Sequence, residues 1–213
     1  MACSAFYFTF RKSNFSLMSK PIKYYLAAYN FVAFSFWLAY LLFYITSGME
    51  LSPINLVLLN IAQGMAVLEI LHVVLRWVKS PVGSTIVQVF SRLLILVLIN
   101  VFLQEHAGLF LFAMGVKIVS LAWGITELVR YSFYFFSLFN QQPKTLLWMR
   151  YSFFIVLYPL GVTGEWFILG TPVAAKGIAL NGYNIFLLIS AASYVYYFPV
   201  LYKYMWKQRR ERL

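Results

Sequence analysis

The chain of 213 residues has no aspartate, one cysteine and two histidines. With no second cysteine, Cys3 cannot close an internal disulfide, and the lack of CxxC or His-rich spacing leaves no ligand set for structural zinc. No Walker, Rossmann, GxSxG or EF-hand pattern occurs, which removes the common phosphate-loop, dinucleotide, hydrolase and calcium chemistries. His72 and His106 stand far apart, and neither is assigned to catalysis. Charge is scarce as well: 11% of residues are Asp, Glu, Lys or Arg, against about 25% in a soluble domain.

What fills the space is apolar. Hydrophobic residues make up 62% of the chain, and mean hydropathy is +0.78. That composition excludes a disordered chain and points to a polytopic membrane protein. The six acids, all Glu, face 17 Lys plus Arg, for a net charge of +11. In a membrane protein this excess reports orientation before it reports any nucleic-acid partner, and none is expected.

A bilayer core about 30 Å thick takes about 20 apolar residues per helix. Long apolar runs with at most two charges each, bounded by charge, Gly or Pro, predict six spans: Tyr24–Ser47, Ile54–Leu75, Val82–Leu103, Ile118–Phe139, Tyr151–Gly170 and Tyr183–Tyr202. The fourth is started at Ile118 to keep Lys117 at the luminal end, because a lysine inside the bilayer is costly. An all-α bundle of six transmembrane helices follows, with a cytosolic segment 1–23, a membrane domain 24–202 and a basic cytosolic tail 203–213.

The loop charges agree. Arg11, Lys12, Lys20, Lys23, Arg76, Lys79, Lys144, Arg150, Lys203, Lys207, Arg209, Arg210 and Arg212 fall on one side, against Lys117 and Lys176 on the other. Both termini are therefore expected in the cytosol. Trp77, Trp148 and Trp206 beside the basic clusters fit an interfacial belt. The acid-free first 20 residues have the composition of a transit peptide but lack its amphipathic arginine spacing, and the apolar run from Tyr24 is too long for a signal peptide. The terminal KQRRERL reads as an anchor at anionic headgroups.

Ionisable groups inside spans mark either folding pairs or a site. Here they are Glu69, Arg92, Glu127, Arg130 and Glu165, accompanied by Gln88 and by Tyr131, Tyr134 and Tyr158. Counted from the cytosolic span ends, Glu69 and Gln88 lie about 9 Å deep, Tyr158 about 11 Å, Arg92 and Arg130 about 14–15 Å, Glu127 about 18 Å and Glu165 about 21 Å. Four helices thus bring polar groups to the cytosolic half and the midplane. Glu127 with Arg130 and Glu69 with Arg92 are the expected pairs, and a structural role for these four stands beside a functional one. Glu165 has no basic residue of its own span at that depth, which suits it to general acid or base work.

Around it lies LYPLGVTGE, residues 157–165, where Pro159 lacks a helical N–H and Gly161 and Gly164 permit close approach. Tyr158 and Glu165 are seven apart, on one helix face, separated by about 10.5 Å along the axis. They can bracket a small reacting group or belong to a kinked packing helix.

LEILH at 68–72, Gln88 with Ser91 and Arg92, WGITELVRYSFY at 123–134, RYSFFIVLYPLGVTGE at 150–165 and YVYYFPVLY at 194–202 together resemble the membrane 3-hydroxyacyl-CoA dehydratases, formerly called protein tyrosine phosphatase-like proteins. The likeness runs from about Tyr24 to the C-terminus. It implies the third step of very-long-chain fatty acid elongation, in which a 3-hydroxyacyl-CoA loses water to give a trans-2-enoyl-CoA. The family's catalytic residues correspond to Tyr158 and Glu165, and its other sensitive positions to Glu69, Gln88, Arg92, Glu127, Arg130 and Gly161. No metal or other cofactor is implied. The implied setting is the endoplasmic reticulum membrane, with the condensing enzyme, ketoacyl reductase and enoyl reductase of the cycle as partners. A phosphatase activity is not implied, because Cys3 is followed by no CxxxxxR.

Dehydration of such a substrate needs a base for the α-proton and an acid for the departing hydroxyl. Glu165 as carboxylate base with Tyr158 as acid satisfies this; so does a protonated Glu165 with a Tyr158 phenolate held by Arg92 or Arg130. Coenzyme A, a polyanion, is expected at the cytosolic face near Arg76, Lys79, Lys144 and Arg150. Two other readings are a catalytically silent scaffold for elongase partners and a small-solute transporter.

Overall fold

The computed structural model describes residues 19–106, 108–176 and 182–213. Cys3, Arg11 and Lys12, and the side chains of Glu105, His106 and Lys176, lie outside the described part. The described residues form helices only: α1 Lys20–Thr46, α2 Pro53–Gly64, α3 Ala66–Val74, α4 Val82–His106, α5 Phe110–Leu138, α6 Lys144–Ser152, α7 Phe154–Lys176 and α8 Gly182–Arg212. Six stretches among them are long and apolar enough to cross a membrane, with α2 and α3 together making one.

Local chemistry sets the helix ends. Ser52 accepts from the Asn55 N–H at 3.3 Å and Pro53 follows it, a capped start for α2. Past α3 the Trp77 N–H bonds the His72 carbonyl and the Arg76 N–H that of Val73; past α5, Gln141 and Asn140 bond Phe136 and Ser137 in the same way. Arg76 and Asn140, both at φ 57°, hold the left-handed residue of these two caps. The second span breaks at Met65, whose carbonyl accepts from the Tyr29 hydroxyl of α1 at 3.0 Å. In α7, Pro159 withholds the N–H that would bond the Ile155 carbonyl, and the Tyr202 hydroxyl of α8 donates to that carbonyl at 3.3 Å.

α5 is the central helix, packed along α7 and α1. Its approach to α7 depends on paired glycines. A Cβ on Gly115 would stand 2.9 Å from the Gly164 carbonyl, and one on Gly164 would stand 2.9 Å from the Gly115 carbonyl. The sequence expectation of close approach at Gly164 is met by backbone of another helix. Gly115→Ala should therefore lower stability by about 1–3 kcal/mol through overpacking, read as an earlier thermal unfolding transition in detergent. An unchanged transition would show that the seam has slack.

Three helix bounds differ from the expected span ends. α5 begins at Phe110, so Lys117 lies two turns inside the helix instead of at its luminal end. It is half-buried and lines a cleft with Glu50 and Tyr44. A lysine stem can lie along apolar surface while its ammonium reaches a polar rim, so the charge need not end the helix. α8 passes Tyr202 without interruption, so the residues expected as a basic tail continue the helix to Arg212. The chain at 144–152 forms its own helix, and the fifth span starts after it at Phe154.

Candidate active site

Four charged side chains from three helices form one buried network. Arg92 of α4 donates through Nη1 to Glu127 Oε1 at 2.6 Å, and Arg130 donates through Nε to Glu127 Oε2 at 2.6 Å. Arg130 then grips Glu69 of α3 with two parallel bonds, Nη1 to Oε2 and Nη2 to Oε1, each 2.7 Å. The Tyr131 hydroxyl donates to Glu69 Oε1 at 2.8 Å, and that of Tyr29 lies 3.4 Å from the same oxygen. The Glu127–Arg130 pair is as expected, whereas Glu69 pairs with Arg130 instead of Arg92. The rigid guanidinium fork of Arg130 serves two carboxylates at once, leaving Arg92 to the other oxygen of Glu127. Two acids and two bases cancel, which is what makes the cluster tolerable in an apolar bundle.

Arg92 is not saturated: its Nε and Nη2 are buried and have no hydrogen-bond partner among the described residues. Its guanidinium carbon sits 4.9 Å from the centre of the Trp123 ring. Gln88 lies one turn before Arg92 on α4 and is half-buried.

Trp123 joins this network to the second centre. Its indole N–H donates to Glu165 Oε1 at 2.9 Å, while the Tyr194 hydroxyl of α8 donates to Oε2 at 2.7 Å. Glu165 is 2% exposed, and among the described residues no Lys or Arg forms an ion pair with it. It differs in this from Glu127: the donors that hold it are neutral.

Tyr158, also buried, stacks on Phe198 with ring centres 4.9 Å apart and on Tyr202 at 6.1 Å. Tyr194, Phe198 and Tyr202 recur every four residues and so form one stripe of α8. Tyr158 and Glu165 both meet that stripe. α7 and α8 run antiparallel, with Glu165 against Tyr194 and Tyr158 against the next two turns. The shared face expected from their spacing is thus present. Gly161, buried, falls on the same face of α7 between them and adds no side chain. The arrangement offers a carboxylate and a phenol about 10 Å apart along one helix, with Gly161 and Val162 between them.

The cations assigned to coenzyme A divide into two groups. Arg76, Lys79 and Lys144 are exposed at the end of the bundle where α8 also finishes. Arg150 is placed differently, its guanidinium carbon 4.7 Å from the ring centre of Phe133, 4.9 Å from that of Tyr134 and 5.9 Å from that of Tyr151.

Sequence reasoning does not single out Trp123, Tyr194, Tyr29 or Tyr202. Trp123 and Tyr194 do open two of the motifs quoted above, which is the signal available for them.

Residues 63–213 match the family model described as protein tyrosine phosphatase-like protein, PTPLA. The very-long-chain (3R)-3-hydroxyacyl-CoA dehydratase hpo-8 of Caenorhabditis elegans is 40% identical over 169 residues, covering 73% of this chain and 76% of that protein. The very-long-chain (3R)-3-hydroxyacyl-CoA dehydratase 1 of Canis lupus familiaris is 40% identical over 173 residues, covering 73% of this chain and 66% of that protein. The very-long-chain (3R)-3-hydroxyacyl-CoA dehydratase PASTICCINO 2 of Arabidopsis thaliana is 35% identical over 208 residues, covering 89% of this chain and 92% of that protein. No solved structure matches the chain.

Proposed function

We propose, since the chain belongs to the protein tyrosine phosphatase-like family, that it removes water from very-long-chain (3R)-3-hydroxyacyl-CoA to give the trans-2-enoyl-CoA. The observation that carries this reading is Glu165, a buried carboxylate held by two neutral donors on the same helix face as the buried phenol of Tyr158. Glu165 takes the proton from C2, the C2–H electrons form the double bond, and the C3–O bond breaks as Tyr158 passes its proton to the leaving hydroxyl. Trp123 and Tyr194 orient the carboxylate. The Nε and Nη2 of Arg92, buried and without partner beside Trp123, are the donors available to a thioester oxygen as negative charge builds on it. Glu69, Glu127 and Arg130 fix Arg92 from behind, and Gln88 is a further polar group one turn away. Gly161 places no side chain between the two groups.

The purified chain, given a long-chain 3-hydroxyacyl-CoA, should produce the trans-2-enoyl-CoA without any added metal or nucleotide, resolved by chromatography. Failure to form enoyl product in a folded preparation would remove the proposal.

The substrate arises by reduction of a 3-ketoacyl-CoA, and the product is consumed by reduction of its double bond. The same reading therefore assigns the chain to the endoplasmic reticulum membrane beside the condensing enzyme, ketoacyl reductase and enoyl reductase of the elongation cycle. The basic excess on one side of the predicted spans supports cytosolic termini. A C-terminal tag should be cut by protease in sealed microsomes; protection of that tag would invert the topology and move the coenzyme A face to the wrong side.

A further inference from the structure

α8 does not stop at Tyr202, where the sixth span is expected to end. It runs on to Arg212 as one helix, and its last turns carry an open surface lined by Lys203, Trp206, Lys207, Arg210 and Glu211. Lys203, Lys207 and Arg210 are spaced i, i+4 and i+7 and so share one face, with Trp206 at its edge. The rotation of this segment is fixed from the other side, because Arg209 donates to the Tyr151 carbonyl at 3.0 Å and also to the Ser152 hydroxyl. The cations therefore point away from α6, with Lys207 3.9 Å from Glu211 of its own helix, whereas Arg150 has its guanidinium packed among Phe133, Tyr134 and Tyr151.

A row of ring contacts runs from Trp206 toward the candidate site. The Trp206 ring lies 6.4 Å from Tyr202, Tyr202 lies 5.6 Å from Phe198, and Phe198 lies 4.9 Å from Tyr158. From Trp206 to Tyr194, which holds Glu165, is twelve residues of helix, about 18 Å. That span is on the scale of an extended phosphopantetheine arm. A coenzyme A thioester presents the matching features in the matching order: an adenine face, a pyrophosphate and a ribose phosphate at one end, then an uncharged arm, then the reacting carbons.

We propose that the cytosolic end of α8 is the nucleotide-binding surface for the coenzyme A substrate, with Lys203, Lys207 and Arg210 on its phosphates and Trp206 stacked on its adenine. This rests on the dehydratase reading and names the part of the chain that recognises the carrier. Arg76, Lys79 and Lys144, at the same end of the bundle, supply a supporting positive field without defining the pocket.

The experiment uses the full chain in nanodiscs of neutral phosphatidylcholine, with two probes. The first is coenzyme A alone, which requires no turnover. The second is a pair of long 3-hydroxyacyl thioesters, one on coenzyme A and one on pantetheine, which lacks the nucleotide. A Lys203→Ala, Lys207→Ala, Arg210→Ala triple variant should bind coenzyme A at least about tenfold more weakly, since exposed charge contacts are individually modest but act together here. Its preference for the coenzyme A ester over the pantetheine ester should collapse through KM, with kcat for the coenzyme A ester retained. Trp206→Ala should weaken binding about 5- to 100-fold, the range for loss of base stacking. Trp206→Phe, which keeps a ring against Tyr202, should recover much of it. Raising salt should weaken the unmutated chain and leave the triple variant nearly flat.

Unchanged coenzyme A affinity in the triple variant would overturn the proposal. So would an effect that appears only as altered association with anionic lipid, which would make this stripe a headgroup anchor. If the unmutated chain binds coenzyme A through these residues but dehydrates neither thioester, the nucleotide site stands and the dehydratase reading fails.

Discussion

Glu165→Gln and Tyr158→Phe are each expected to reduce turnover of a long-chain 3-hydroxyacyl-CoA by about 10²- to 10⁴-fold, with little change in unfolding temperature. Both substitutions keep nearly the whole side-chain volume. The amide that replaces the Glu165 carboxylate would retain a carbonyl oxygen for one of the two donors, Trp123 Nε1 and the Tyr194 hydroxyl, while losing the ability to take a proton. The phenyl ring that replaces the Tyr158 phenol keeps the stack on Phe198 and Tyr202. The loss should therefore fall on kcat, with KM much less affected, because the proposed coenzyme A contacts are on other residues. A variant that loses activity only in proportion to lost folded protein would show that α7 is a packing helix at this point.

Arg130→Ala should act in the opposite way, through the fold. Arg130 is 3% exposed and holds Glu69 with two bonds and Glu127 with another. Its removal leaves Glu127 with Arg92 alone and Glu69 with only tyrosine hydroxyls. Breaking a buried pair in this manner costs about 3–5 kcal/mol, so folded yield and detergent stability should drop together with activity. Arg130→Lys should rescue little, since an ammonium cannot present parallel donors to one carboxylate and reach a second. Activity lost at full stability would instead mean that Arg130 touches substrate.

These two outcomes separate because the site has two parts that the sequence presents as one group of intramembrane polar residues. Charge is rare enough in this chain that five ionisable residues inside apolar runs stand out, and all five do join the polar core. The seven-residue spacing of Tyr158 and Glu165 is likewise legible, since it follows from helical geometry alone. Partner choice is not. Whether Glu69 meets Arg92 or Arg130 depends on how α3 and α4 rotate against α5, and no spacing within one helix encodes that. The chain has 16 tyrosines and six tryptophans, so nothing but packing distinguishes Tyr194, which holds Glu165, from Tyr196, which is exposed. Lys117 shows why starting a span only after its lysine misleads when a long cationic side chain can reach a polar rim.

The central claim is that Tyr158 and Glu165 act in one elimination, and a double-mutant cycle on turnover tests it most directly. The unmutated chain, Tyr158→Phe, Glu165→Gln and the combined variant would be purified in the same detergent, checked for equal thermal transitions, and assayed for enoyl-CoA formation from one long-chain 3-hydroxyacyl-CoA. Acid and base working in a single transition state predict that the combined variant loses far less than the product of the two single losses, because removing either already disables the step. Single variants that dehydrate within a few-fold of the unmutated chain would contradict the account.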